Sequence, residues 1–149
     1  MKEDDLYRRE DLPGFIINQA AKLITDLLHE NFKLANQEVT PEQWIILDEL
    51  WRHEGLTQLE IAQATFRQQT STSRILDNLV KRDLVYRSQN PLDKRSNLIY
   101  LTNRGKGLQE SLIKTVKQTM VDAVSEIDED DLNNCLQVLN KISATISKK

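Results

Sequence analysis

The sequence predicts a mostly α-helical fold with one small β-hairpin, on three observations. Apolar residues recur at three-and-four spacing over long segments at both ends of the chain. Two helix-start signatures lie close together in the middle, and two short β-branched and aromatic runs follow them. The 149 residues are one domain's worth of protein, enough to bury roughly two-thirds of the unfolded chain's surface without disulfides or metal.

From Leu12 to about Leu34, Phe15, Ile16, Ala20, Leu23, Ile24, Leu27 and Leu28 lie on one helical face. Thr40-Pro41-Glu42-Gln43 reads as a capping box with Pro at the first helical position, opening a helix through Trp44, Ile45, Leu47, Leu50 and Trp51 that stops at Gly55. Thr57-Gln58-Leu59-Glu60 is a second capping box, starting a short helix with Leu59, Ile61 and Ala62. After a break around Thr65 to Gln68, a third helix runs to about Arg82. Short helix, tight turn, longer helix is the spacing of a helix-turn-helix. Leu84 to Ser88 and Leu98 to Leu101 then read as strands joined by a loop with an Asn90-Pro91 turn signal. A hairpin directly after a helix-turn-helix makes a winged helix. From Thr102 to about Glu126, Leu108, Leu112, Val116, Met120 and Ala123/Val124 predict one long helix; after an acidic turn at Asp128, Leu132, Cys135, Leu136, Leu139, Ile142 and Ile146 predict another.

Composition narrows the function. Cys135 is the only cysteine, which leaves no intrachain disulfide. With only His29 and His53 besides, no metal site or cofactor is expected. The acidic start MKEDDLYRRE lacks the apolar core of a leader, and charges interrupt the chain before the ~18 apolar residues a spanning helix needs, so a cytoplasmic protein with no membrane partner is expected. No nucleophile-base pair, phosphate loop or carboxylate pair stands out, and the chain is read as not an enzyme.

The net charge is −3, which on its face disfavours a nucleic-acid partner. Its distribution reverses that. Residues 1–64 hold 6 basic and 13 acidic groups, residues 65–107 hold 9 and 3, and residues 108–149 hold 5 and 7. A basic stretch between acidic flanks points to a polyanion for that stretch alone, or to a solvated basic face.

At 100° per residue, Ile75, Leu76, Leu79 and Val80 share one face of the third helix with Thr72 beside them. Thr70, Ser71, Arg74, Asp77, Asn78 and Lys81 occupy the other, with Ser73 on its flank. Small hydroxyl residues at a helix start allow close approach and phosphate contacts, and an Arg one turn on suits a guanine edge. The plain alternative is capping. In the hairpin loop, Arg95 is placed to enter a minor groove, with Asp93 two residues earlier holding the guanidinium or the loop and Lys94 between them. The alternative there is a local surface ion pair.

The run from Ser71 to Arg87, followed by Asn90-Pro91-Leu92-Asp93-Lys94-Arg95-Ser96-Asn97-Leu98-Ile99-Tyr100-Leu101-Thr102, resembles the recognition helix and wing of the MarR family of bacterial transcription regulators. The resemblance implies a homodimer whose first helix and last two helices interlock and present two winged helices to a pseudo-palindromic duplex. It places 40–102 as the DNA-binding lobe and 6–36 with 103–147 as the helical dimerisation region of a single domain, 1–149. Arg95 would be the minor-groove arginine, Asp93 its orienting acid, and Thr70, Ser71, Ser73 and Arg74 the major-groove end. Asp83 stands where the family often has Gly, and Asp tolerates a left-handed backbone. The implied function is a repressor of double-stranded DNA targets, released by a small aromatic or anionic effector.

Two alternatives remain: a winged helix that binds an acidic protein, and a redox sensor acting through Cys135. Against the second, a lone Cys on an apolar stripe is expected to be a small buried hydrophobe, with no cation within a turn to activate it. Trp44 and Trp51, seven residues apart, are expected in the core or beside an effector pocket, and His29 and His53 at helix ends are read as solvated or capping.

Overall fold

The computed structural model describes residues 8–149, so Leu6 and Tyr7 of the 6–36 segment lie outside the described residues. The described chain is seven α-helices and a small antiparallel sheet, a winged helix carried between long helices. Helix α1 spans Pro13–Leu34 and α2 Pro41–Arg52; β1 (Leu56–Thr57) leads into α3 (Gln58–Ala64) and α4 (Gln69–Lys81). Strands β2 (Val85–Gln89) and β3 (Asn97–Leu101) form the hairpin, and α5 (Asn103–Gly107), α6 (Gln109–Ala123) and α7 (Glu129–Ser147) complete the chain.

Both capping boxes form. Thr40 and Gln43 exchange side-chain and backbone bonds at the start of α2, and Thr57 and Glu60 do so at α3. Gln43 does more than cap: its side-chain amide donates to Asn78 Oδ1 at 2.7 Å and its Oε1 accepts from Arg82 Nη1 at 3.0 Å, fastening α2 to α4. The predicted apolar face of α4 is the buried one, with Thr72, Ile75, Leu76 and Leu79 inside. They join Phe32, Ile46, Leu47, Leu50, Ile61, Leu84, Ile99 and Leu112 in one core.

Three helices end in the same way. After α1, α3 and α4 the chain passes through a left-handed residue, Asn36 (φ 54), Phe66 (φ 54) and Asp83 (φ 57). In each case the next amide reaches back to the last turn: Gln37 to Phe32, Arg67 to Ala62, and Leu84 to Leu79. Asn and Asp accept this backbone, so Asp83 keeps the turn that the helix-to-wing junction needs. Phe66 does not, at a cost of about 1–2 kcal/mol.

The structure corrects three readings and adds the burial of α1, which the sequence left open. A third strand, β1, pairs with β3 in the order β1-β3-β2, Leu56 opposite Ile99; two residues leave no periodicity to read. The single helix expected from Thr102 to Glu126 is interrupted at Leu108, because two glycines in α5 weaken helix propagation and Gly105 is pressed against the Leu84 backbone. Only Leu28 and Phe32 of α1 are buried, and most of its predicted stripe, including Ile16 and Leu23, is exposed. Finally, Cys135 is exposed, contrary to the buried hydrophobe expected. The reason is general to α7, which buries no residue against its own chain and leaves Leu136, Val138 and Ile146 at least half exposed. A helical stripe predicts that a face will be covered and does not say by which chain.

The junction between the wing and the last helices is the tightest point of the fold. The Leu84 carbonyl accepts from Thr102 N at 3.1 Å, Thr102 Oγ1 donates to the Asp83 carbonyl at 2.6 Å, and Thr102 then caps α5 through Gly105 N. Trp51 Nε1 donates to the Gly105 carbonyl at 3.1 Å. A Cβ on Gly105 would collide with the Leu84 carbonyl oxygen and touch Leu101. Gly105→Ala is therefore expected to destabilise the protein by about 1–3 kcal/mol, as overpacking of a core does. The midpoint of urea unfolding checks this; an unchanged midpoint would mean that the junction yields.

Candidate nucleic-acid interface

Helix α4 and the hairpin loop lie on the same side of the winged helix, joined by contacts that leave their outer groups open. Gln58 Nε2, in the first turn of α3, donates to the Gln69 carbonyl at 3.2 Å and ties the starts of α3 and α4 together. Arg87 Nη2 on β2 donates to Asp77 Oδ1 at 2.7 Å and ties the hairpin to α4. Asp77 and Asn78, both on the polar face of α4, are thus occupied within the fold, Asn78 by Gln43.

The sequence-predicted residues of α4 fall at its open end. Thr70 and Arg74 are exposed, Ser71 and Ser73 half-buried. Arg74 has no carboxylate partner among the described residues, as is also the case for Lys81 and Lys94. Gln68 provides no side-chain cap to α4, so its first amides are not covered by a capping side chain. The Ser71 and Thr72 hydroxyls donate to the Gln68 carbonyl at 3.0 and 2.9 Å, which fixes them without using their acceptor lone pairs.

The loop between β2 and β3 is ordered by its own side chains. Asn90 Oδ1 accepts from Leu92 N at 3.0 Å, and Asn90 Nδ2 donates to Ser96 Oγ at 3.1 Å, closing the loop at its base. Asp93 Oδ1 accepts from Arg95 N at 2.9 Å and lies 3.5 Å from Arg95 Nε. The aspartate therefore holds both the loop and the guanidinium, the two alternatives that the sequence left open. Arg95 is 94% exposed despite this restraint, with Lys94 exposed beside it. Between this loop and the first turns of α3 and α4 lies a cleft of about 440 Å³, lined in part by Gln58, Gln69, Arg87 and Arg95.

Sequence reasoning missed Arg87, Gln58 and Gln69 as the residues that hold the two elements together. Arg87 was visible as one basic group among nine in its stretch and as the end of the run that resembles the family, but its bond to Asp77, between a strand and a helix ten residues earlier, has no local signature. Phe66, 96% exposed in the turn before α4, was also missed; its aromatic character is plain in the sequence, its left-handed backbone is not.

The sequence model of the MarR family matches residues 37–96, from the end of the α1–α2 turn through the hairpin loop. Over that stretch the chain is similar to the MarR family. An uncharacterized HTH-type transcriptional regulator from Staphylococcus aureus is 28% identical to it over 109 residues, 72% of this chain and 75% of that protein. Two solved structures share the fold. A mutant MarR from E. coli complexed with operator DNA superposes with a TM-score of 0.83 at 24% identity, covering 92% of this chain and 97% of that one. Bordetella bronchiseptica BpsR, whose DNA binding is regulated by 6-hydroxynicotinic acid, gives 0.84 at 20% identity over 92% and 96%. The MarR-family fold thus extends beyond the matched stretch to the long helices on either side.

Asp93 is the side chain that shapes the hairpin loop. Asp93→Ala is expected to change the unfolding free energy by less than about 1 kcal/mol, because the ion pair is exposed. It should nevertheless accelerate hydrogen exchange at the Arg95 amide. Exchange measured by NMR checks this, and an unaltered Arg95 rate would show that the aspartate does not order the loop.

Proposed function

We propose that the chain is a homodimeric repressor that binds a pseudo-palindromic site on double-stranded DNA in the cytoplasm and is released by a small-molecule effector, with no catalytic activity of its own. The observation that carries the DNA reading is the pairing of two joined elements that both carry exposed cations. Arg74 stands at the open end of α4, and Lys94 and Arg95 stand on a loop ordered by Asp93. In this reading residues 40–102 are the DNA-binding lobe. Thr70, Ser71, Ser73 and Arg74 meet the major groove, Arg95 enters the minor groove oriented by Asp93, and Lys94 contacts phosphate.

Dimerisation is supported by α7 and α1. A 19-residue helix with no buried residue has little packing from the described residues, and Leu136, Val138 and Ile146 at 50–65% exposure need a partner surface. A second copy supplies it, with residues 6–36 and 103–147 forming the dimerisation region. Two recognition helices are then presented at a spacing of about one turn of B-DNA.

Effector control is supported by a second cleft of about 440 Å³ at the junction of the two regions. It is lined by Arg104, by Arg82 paired with Glu38, and by Val39, Leu84 and Leu108, with Arg104 the cation left for an acid, in the size range of small-molecule sites. A small aromatic acid bound there would touch the end of α4 and the start of α6 at once. It would act by its differential affinity for the two arm spacings.

Two measurements test this reading. Genomic fragments selected by the full chain at near-physiological salt should yield an inverted-repeat duplex. On it, Lys94→Ala with Arg95→Ala should weaken binding and make log K against log[salt] shallower by up to ~0.9 per lost phosphate contact. An unchanged slope and affinity would remove the wing from the interface. Separately, Leu136→Glu with Ile146→Glu should convert a dimer to a folded monomer by analytical ultracentrifugation and abolish tight operator binding. A wild-type chain that sediments as a monomer would overturn the dimer.

A further inference from the structure

The three left-handed helix ends differ in one respect: two carry residues that suit the backbone, and the third carries a phenylalanine. Phe66 occupies the position where glycine relieves strain, yet its ring is 96% exposed and nothing within the fold repays it. Its place is specific. The bonds from Phe66 N to the Gln63 carbonyl and from Arg67 N to the Ala62 carbonyl fix the turn, and Gln68 then opens α4 three and four residues before Ser71 and Thr72. The ring therefore stands in the helix-turn-helix turn, at the end of α4 that carries Thr70 and Arg74, next in sequence to the cationic Arg67. A strained backbone that persists without an internal contact is a mark of a functional position.

We infer that Phe66 is an apolar specificity contact to duplex DNA, packing on a thymine methyl or a deoxyribose edge at the rim of the major groove. This rests on the DNA-binding reading above. Serine, threonine and arginine on α4 supply polar contacts; a ring beside them adds a contact that discriminates by shape and is insensitive to salt. Its loss removes apolar burial only, worth about fourfold in affinity per methyl-sized contact and roughly tenfold or more across two half-sites.

The test is Phe66→Gly in the full chain, measured on the selected duplex by fluorescence anisotropy and by thermal unfolding. The expected result is affinity reduced by roughly tenfold or more, an unchanged salt slope, and a Tm equal to or above that of the wild type, because glycine removes the strain. Undiminished affinity overturns the inference. Should Phe66→Gly also lower the Tm, Phe66→Asn decides, since Asn keeps the left-handed turn and removes the ring: weakened binding sustains the contact and wild-type binding refutes it. A uracil-substituted duplex separates the two sources. Equal binding of wild type and Phe66→Gly to it identifies the thymine methyl, and a persisting gap identifies the sugar edge. Arg74→Ala keeps the two readings apart. Weakened binding there with undiminished binding by Phe66→Gly refutes only the ring contact, whereas undiminished binding by both removes the α4 end from the interface.

Discussion

The close approach of Gly105 to the Leu84 carbonyl is the constraint on which the rest of the arrangement depends. Asp83 turns the chain out of α4, and Leu84 begins the path into β2. Thr102 closes the end of β3 onto both of their carbonyls. A residue with a side chain at 105 would push α5 off this anchor, and the Trp51 indole would lose its acceptor. Recognition helix, wing and the start of the long C-terminal helices therefore meet within a few residues. In the proposed regulator, a displacement of α6 would reach α4 and the hairpin through this junction.

Charge is arranged to suit the same geometry. The chain is acidic as a whole, and its basic groups are concentrated in residues 65–107. Within that stretch some cations are spent on the fold: Arg87 on Asp77 and Arg82 on Gln43 and Glu38. Arg74, Lys81 and Lys94 are left without carboxylate partners among the described residues, and Arg95 is restrained but open. Exposed pairs such as Asp93–Arg95 contribute little to stability. Their value lies in order: a guanidinium already held by its neighbour loses less conformational freedom on binding. Under the proposed function, the acidic excess on the flanking segments would oppose indiscriminate binding to phosphate and leave affinity dependent on the fit of α4 and the wing.

What could be read from the sequence was local. The capping boxes at Thr40 and Thr57, the apolar face of α4 and the ordered Asp93–Arg95 loop depend on neighbours within a few residues, and all are present as read. Asp83 was legible for the same reason, through its tolerance of a left-handed backbone. What escaped was decided at a distance or outside the chain. The two-residue strand β1 exists only because β3 passes beside it. Gly105 looks like a weak helix residue until Leu84, twenty-one positions earlier in number, is found against it. Cys135 was assigned to a core that this single chain does not provide. Phe66 reads as a hydrophobic residue in a loop; its meaning depends on a backbone angle that no side-chain pattern reports.

The central claim is that two winged helices are held at a fixed separation and read one face of a duplex. Hydroxyl-radical footprinting of the full chain on a selected duplex tests it most directly. The account predicts two symmetric protected regions centred about one helical turn apart, each flanked by minor-groove protection from the wing. A single protected patch, or protection without symmetry, would contradict it.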